Sequence, residues 1–359
     1  MKFLQRLSDW NENKSHYENK YFLDPYFIAE IGVNHEGSIE KAKELIKIAS
    51  ESGANAVKFQ SYKAERLTSV NSPAYWDTEA ESTTSQYELF KKYDSFDKEE
   101  YVELKKYSDE NNVEFLTTPF DSKFVDELDE LLDFYKVASA DITNYILLKK
   151  IASKSKPIIL STGASSKEEI DAALELLSEF KIPILLNHCI LSYPTSVKEA
   201  NLGMIKDLKA SYPNNIIGYS DHTPPTNDYL VQITASLLGA TFIEKHFTDD
   251  KSQPGNDHYH SFDSANLKTF KQKMVDLKEI YGIDEKKVIE IELPARENAR
   301  RSLVFSKDIK KGKILSESDF IPKRPGNGIP VERINDLIEK SINRDVLKDS
   351  YVTFDMLDE

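Results

Sequence analysis

The 359-residue sequence predicts an α/β fold, a (β/α)8 TIM barrel, followed by a small β-rich domain. Residues 26–281 alternate short runs of β-branched and aromatic residues with amphipathic segments, a pattern typical of parallel strands joined by helices. Eight such runs fall within about 250 residues, the usual size of a (β/α)8 barrel. No glycine-rich phosphate fingerprint, common in doubly wound sheets, is present in the sequence.

The eight runs predict strands at 26–31, 55–59, 113–117, 134–138, 157–161, 183–188, 215–219 and 241–246. A helix follows the first strand, with Ser38 as its N-cap and Gly53 at its end. Ser166 and Glu169 form the capping box of another helix, and Asp263 or Ser264 begins a third. Two connections, at 61–96 and 247–262, are too long for plain turns, and we expect both to cover a substrate at the barrel mouth.

The predicted domain organisation has four parts. Residues 1–25 form an N-terminal extension and residues 26–281 the barrel. A charged stretch without a strong apolar period, 282–298, is interpreted as a linker. Short β-type runs broken by turns follow, and they predict a compact domain at 299–359.

Composition excludes several classes of function. There are 47 Lys and Arg residues against 61 Asp and Glu residues, a formal net charge of -14, which argues against a general binder of nucleic acid or of anionic membranes. The single cysteine, Cys189, can form no internal disulfide and belongs to no zinc or iron–sulfur motif. The sequence has neither an apolar stretch near the ~20 residues of a membrane span nor a secretory signal, so we expect a cytoplasmic protein.

Polar side chains end nearly every predicted strand, where barrel enzymes carry their active sites. The residues that we select from these ends and from the following loops are Glu30, Lys58, Gln60, Thr118, Lys136, Ser139, Ser161, Tyr193, Ser220, His222, His246 and Asp257. His222 and His246 follow adjacent strands and could bind one divalent ion. For an isolated pair, however, two hydrogen-bonded barrel histidines are the favoured interpretation. Asp257 adds an oxygen ligand or a general base, although Asp in such a loop is commonly a turn former.

Lys58 and Lys136, with nearby hydroxyl groups, predict a pocket for a phosphate or a carboxylate. Each lysine, taken alone, could equally pair with a neighbouring acidic residue, for example Lys136 with Asp141. Lys136 could also be the Schiff-base nucleophile of an aldolase if it is desolvated. That alternative leaves the histidine pair unexplained.

Several strings of the sequence closely resemble the sialic acid synthase family, which condenses phosphoenolpyruvate with an N-acetylated mannosamine-type sugar. In chain order these are AEIGVNHEG, VKFQ, TTPF, YKVAS, PIILSTG, GYSDHT, EKHFT, PGND and KRPGNG. The resemblance implies a TIM barrel followed by an antifreeze-like (SAF) domain. It also implies a domain-swapped homodimer that uses Mn²⁺ or Mg²⁺, with His222 and His246 as metal ligands.

The resemblance also assigns roles residue by residue. Glu30, Lys58, Lys136 and Asp257 are the expected catalytic residues. Phosphoenolpyruvate is expected to contact Lys58, Thr118, Lys136, Ser139, Ser161 and Ser220. The sugar is expected to contact Gln60, Tyr193, Asp257 and Arg324, the last reaching from the small domain into the partner's barrel.

Several positions depart from the family pattern. Leu191 stands where sialic acid synthases have Asn, and Phe59 stands where His is common. The SAD of Ser139 to Asp141 replaces a more frequent SGE. The loss of a hydrogen-bonding group at position 191 either removes a hydrogen bond to the substrate or favours a deoxygenated sugar. The acceptor is therefore left open between N-acetylmannosamine, its 6-phosphate and a 2,4-diacetamido trideoxy sugar of the legionaminic or pseudaminic type.

Overall fold

The computed structural model describes residues 2–12, 21–76, 78, 81–255 and 257–358. The chain divides into two compact units, Met1–Tyr281 and Gly282–Glu359. The first unit is built on eight parallel strands: β1 Tyr26–Gly32, β2 Ala56–Ser61, β3 Glu114–Pro119, β4 Tyr135–Val137, β5 Ile158–Ser161, β6 Ile184–His188, β7 Ile217–Asp221 and β8 Phe242–His246. The predicted strands are confirmed, and their ends differ from the prediction by two residues or fewer.

The strands form one sheet in the order β3-β2-β1-β8-β7-β6-β5-β4. The two end strands, β3 and β4, contact each other, so the sheet curves into a barrel. All eight strands are buried almost throughout, as expected for a parallel sheet whose outer face is covered by helices. This arrangement brings the C-terminal ends of all eight strands to one rim.

The helices that the described residues show lie between the strands and at the two ends of the barrel sequence, except for the last, which lies in the second unit. They are α1 Phe3–Glu12, α2 Ile39–Glu51, α3 Ala64–Leu67, α4 Gln86–Tyr93, α5 Lys98–Glu110, α6 Ser122–Leu128, α7 Tyr145–Ala152, α8 Lys167–Ser178, α9 Gly203–Ser211, α10 Leu230–Leu237, α11 Ser264–Tyr281 and α12 Leu293–Ala299. The predicted caps are confirmed: the Ser38 side chain accepts a hydrogen bond from the backbone of Lys41, and Ser166 with Glu169 forms a capping box. None of these helices has the length and apolar character that a membrane span requires.

Helix α1 covers the N-terminal end of the barrel, opposite the predicted site. Phe3, Leu7 and Trp10 are buried on its inner face. The Phe3 ring stacks on Phe134 with 3.9 Å between centroids, and its backbone N–H donates to Glu114 over 2.7 Å. Helix α1 thus packs against the barrel core, and the spacing of its three buried apolar residues fits one helical face.

The second unit contains the antiparallel strands β9 Ser302–Phe305 and β10 Phe320–Lys323. Its small core includes Leu303, Phe305 and Leu337. Helix α12 and a preceding 3-10 turn lie in the stretch interpreted as a linker, and Pro294 sits in the first turn of that helix. The predicted boundary between linker and small domain stays a prediction.

We predict that Phe3→Ala lowers the free energy of unfolding by about 3 kcal/mol, because it leaves a cavity beneath the barrel. Leu4→Ala is the matched control, since Leu4 is the next residue of the same helix and is 42% exposed. Thermal unfolding of the two variants and the parent chain measures the difference. Equal stability losses in both variants would contradict the assignment of α1 to the core.

Candidate active site

A cavity of about 540 Å³ opens at the C-terminal rim of the barrel. Its walls include residues of both long connections, for example Trp76 and Phe90 after β2 and Asp257 after β8. This placement agrees with the expectation that both connections cover a substrate at the barrel mouth. The predicted site residues that line the cavity are Glu30, Lys58, Gln60, Thr118, Lys136, Ser139, Ser161, Tyr193, Ser220, His222, His246 and Asp257.

Arg324 is the one predicted site residue that belongs to the second unit. It follows strand β10 and is exposed to solvent. No hydrogen bond or ion pair joins it to another of the described residues. Its predicted contact with a sugar therefore stays a prediction.

Glu30 lies at the centre of the rim because of strand register. It is paired with Lys58 on β2 and with His246 on β8. Lys58 Nζ lies 2.5 Å from Glu30 Oε2 and also donates to Thr118 Oγ1 over 3.1 Å. Gln60 donates to the other oxygen of Glu30 over 3.0 Å. Burial raises the pKa of Glu30 above its ordinary value in spite of the lysine charge.

Lys136 forms its ion pair with Glu244 on β8, with 3.3 Å between Nζ and Oε1. The alternative of a pair with Asp141 is wrong, since Asp141 instead accepts a hydrogen bond from Asn144. Ser220 donates to the same oxygen of Glu244 over 3.0 Å. Burial acts to raise the pKa of Glu244, but the charges of Lys136 and Lys58 outweigh it and leave the pKa below its ordinary value. Sequence reasoning gave Glu244 no role, because its partner is distant along the chain.

Hydroxyl groups line the same side of the cavity as Lys136. Ser139 Oγ accepts a hydrogen bond from Gly163 N–H over 2.9 Å and lies 2.9 Å from Cys189 Sγ. A Cβ atom at Gly163 would lie only 2.7 Å from that sulfur, so the close approach requires glycine. Ser161 Oγ is buried and has no hydrogen-bond partner among the described residues. A buried hydroxyl without a partner is costly, and an anion in the cavity would satisfy it.

His222 is held in the form that suits a metal ligand. Its Nδ1 lies 2.8 Å from the carbonyl oxygen of Ile190, so the Nδ1–H donates and Nε2 keeps its lone pair. Burial lowers the pKa of His222 to about 4, which keeps the ring neutral near pH 7. The ring centroids of His222 and His246 are 5.7 Å apart, and Tyr193 lies 4.2 Å from His222.

A second group of potential ligands surrounds His246. One donor atom from each of His246, Asp257 and His260 lies within 4.8 Å of the other two. Burial lowers the pKa of both histidines, and burial together with the charge of Glu30 raises the pKa of Asp257 to about 7. Buried imidazole nitrogens without hydrogen bonds beside a carboxylate fit a divalent ion. Sequence reasoning assigned no role to His260, although Asp257 and His260 are three residues apart in one helical turn.

A fully buried ion pair lies behind the histidines and fixes the ends of β7 and β8. Lys245 Nζ lies 2.8 Å from Asp221 Oδ2, and neither side chain is exposed. Asp221 also accepts hydrogen bonds from Gln232 and from the backbone and side chain of Thr223. Because Asp221 and Lys245 precede His222 and His246 directly, this network positions the two imidazoles.

The family assignment follows from comparison with known sequences. The model of the NeuB family matches residues 45–286, more than half of the chain, and the model of the SAF domain matches residues 300–358. The chain belongs to the NeuB family. The predicted barrel with a C-terminal SAF domain is thereby confirmed, as is the resemblance to sialic acid synthases.

Several relatives of this NeuB-family chain are named as synthases of legionaminic acid, of N-acetylneuraminate 9-phosphate or of pseudaminic acid. N,N'-diacetyllegionaminic acid synthase of Campylobacter jejuni is 39% identical over 332 residues, which cover 90% of this chain and 98% of that protein. N-acetylneuraminate-9-phosphate synthase of Drosophila melanogaster is 32% identical and covers 90% and 93%. The crystal structure of N-acetylneuraminic acid synthetase from Leptospira borgpetersenii, in complex with citrate, has a TM-score of 0.66 and 34% identity, and covers 75% and 89%.

We predict that Lys245→Met destabilises the NeuB-family chain by about 3 kcal/mol or more, because it leaves the Asp221 carboxylate buried without its counter-ion. Lys105→Met is the control, since Lys105 forms a partly exposed pair with Asp109 four residues later on α5. That pair is expected to contribute less than about 1 kcal/mol. Urea unfolding of both variants measures the loss of stability. If Lys245→Met leaves the free energy of unfolding unchanged, the network does not depend on the ion pair.

Proposed function

We propose that this chain is a phosphoenolpyruvate-dependent synthase of N-acetylneuraminate-type nonulosonic acids. The observation that carries the proposal is the convergence of two buried lysines and several buried hydroxyls next to neutral histidines in one cavity. Lysines and hydroxyls suit the phosphate and carboxylate of phosphoenolpyruvate. Family membership and the names of the relatives support the same reaction.

In this reaction, C3 of phosphoenolpyruvate attacks the aldehyde carbon of the open-chain sugar and forms the new C–C bond. Water then adds at C2, and phosphate leaves by cleavage of the C–O bond. Lys58, Lys136 and Thr118, with Ser139, Ser161 and Ser220, hold the anion and its departing phosphate. Glu30 or Asp257 accepts the proton of the attacking water, since both carboxyl groups have raised pKa values. His222 and His246 would hold a divalent ion, Mn²⁺ or Mg²⁺, which supplies Lewis acidity towards the sugar carbonyl when bound.

The outer wall of the cavity bears on the choice of acceptor sugar. Its apolar lining includes Leu67, Leu89, Trp76 and Leu191. Among the described lining residues the only Lys or Arg side chains are Lys58 and Lys136. Both lie within strands of the barrel and are assigned to phosphoenolpyruvate. An apolar wall suits the methyl end of a 2,4-diacetamido trideoxy sugar and offers no counter-ion to a 6-phosphate. Our second candidate is therefore a legionaminic-type or pseudaminic-type synthase.

We predict phosphate release from phosphoenolpyruvate with a 2,4-diacetamido trideoxy sugar or with N-acetylmannosamine, and much less with the 6-phosphate. With ¹⁸O in the bridging C–O–P position of phosphoenolpyruvate, the label should leave in phosphate, because the C–O bond breaks. Leu191→Asn should shift the ratio of kcat/KM towards N-acetylmannosamine by about tenfold or more. A borohydride-trapped adduct at Lys136, without phosphate release, would instead establish the Schiff-base aldolase alternative.

We also propose a domain-swapped homodimer in the cytoplasm, where phosphoenolpyruvate is available. The exposed position of Arg324 in the second unit supports this arrangement, because a partner's barrel could receive the side chain. Arg324 would then bind the N-acetyl carbonyl of the sugar as a charged donor. This role would make each active site depend on two subunits.

We predict that Arg324→Ala and His246→Ala are each inactive, but that an equal mixture recovers activity after subunit exchange. A heterodimer assembled in trans has one site with both defects and one intact site, so random exchange yields about a quarter of the parent activity. Native mass spectrometry verifies that heterodimers have formed. If they form without recovery, Arg324 does not act in the partner's site.

A further inference from the structure

His260 is buried in a way that packing alone does not explain. It ends the 3-10 helix His258–His260 in the connection after β8, and its side chain is fully buried. Neither ring nitrogen has a hydrogen-bond partner among the described residues. Buried polar atoms are usually hydrogen-bonded, so two nitrogens without partners point to a missing ligand.

The surroundings of His260 identify the class of that ligand. Its Nε2 lies 3.7 Å from Asp257 Oδ1, and Asp257 Oδ2 lies 3.3 Å from His246 Nδ1 without a hydrogen bond. The rings of His246 and His260 are 4.8 Å apart between centroids. Ligand atoms that each lie about 2.0–2.2 Å from one ion are about 3–4 Å from one another. The trio is therefore close to the spacing that a first-row divalent ion requires.

His258 provides an internal comparison. It lies two residues earlier in the same 3-10 helix and is also buried. Its Nδ1 forms a hydrogen bond with Thr248 Oγ1 over 2.8 Å, and its Nε2 lies 3.9 Å from Glu36. One ring nitrogen of His258 is therefore hydrogen-bonded within the protein, whereas neither ring nitrogen of His260 is.

We propose that His260 is a third histidine ligand of the catalytic ion. It would bind the ion together with His246 and Asp257 of this trio and with His222, whose ring centroid lies 5.7 Å from that of His246. The inference rests on the proposed function, since it enlarges the metal site of the same cavity. Three imidazoles favour a first-row transition ion over Mg²⁺, which prefers oxygen ligands. Four protein ligands leave two positions of an octahedral ion for the sugar and water.

The test is a titration of the full-length chain with Mn²⁺ alone, followed by electron paramagnetic resonance of the free ion. We expect His260→Ala to weaken Mn²⁺ binding by at least about tenfold. Loss of a metal ligand, or of a residue that orients one, typically has an effect of this size. The control, His258→Ala, should stay within about twofold of the parent chain, and circular dichroism establishes that both variants fold. Unchanged affinity in folded His260→Ala would overturn the proposal.

Pulsed resonance on the Mn²⁺-loaded parent chain gives a second readout that does not depend on a variant. It should detect three coupled imidazole nitrogens, and no more than two would overturn the assignment of His260, as would an absence of Mn²⁺ binding. A different result would show that the proposed function is wrong: Mn²⁺ would bind through His260, but no acceptor sugar would give phosphate release. Conversely, metal-dependent phosphate release with unchanged Mn²⁺ affinity in His260→Ala would reject the ligand and keep the function.

Discussion

Compensation of buried charge governs the architecture of the barrel mouth. Three lysines are buried there, and each has a carboxylate within ion-pair distance, in the pairs Lys58–Glu30, Lys136–Glu244 and Lys245–Asp221. A buried ammonium group without such a partner would be strongly destabilising. Two of these pairs join neighbouring strands and one spans the barrel, so strand register and pairing of charge support each other. The cavity can contain buried charged side chains because this network compensates them, and the network is possible because parallel strands end at one rim.

Much of this arrangement can be predicted from local sequence. The strands are short apolar runs, and the caps at Ser38 and Ser166 are motifs of a few residues, so each signal lies within the element it defines. The barrel rule then places strand-end residues at one rim, and twelve of the residues selected from strand ends and the following loops line the cavity. Helix α1 is also predictable from local sequence, because Phe3, Leu7 and Trp10 share one helical face.

Contacts between distant parts of the chain are harder to predict from the sequence. The prediction for Lys136 considered Asp141, five residues away, whereas the observed partner, Glu244, is more than one hundred residues away. The position of His260 depends on the connection after β8 folding back against His246, and no periodic pattern encodes that path. Sequence reasoning therefore identifies the residues of the rim more readily than it identifies their partners.

The charged side chains of the cavity are unequally distributed between two halves. Its lining carboxylates outnumber its lysines: Glu30, Glu81, Asp141, Glu244 and Asp257 against Lys58 and Lys136. The lysines and hydroxyls form a half that suits an anion, whereas His246 and Asp257 form a half that suits a cation. Glu30 is in register with both Lys58 and His246 and so lies between the two halves. In the proposed reaction, a carboxylate at this boundary would lie next to both the anionic nucleophile and the electrophilic carbonyl, where a proton acceptor for the attacking water is needed.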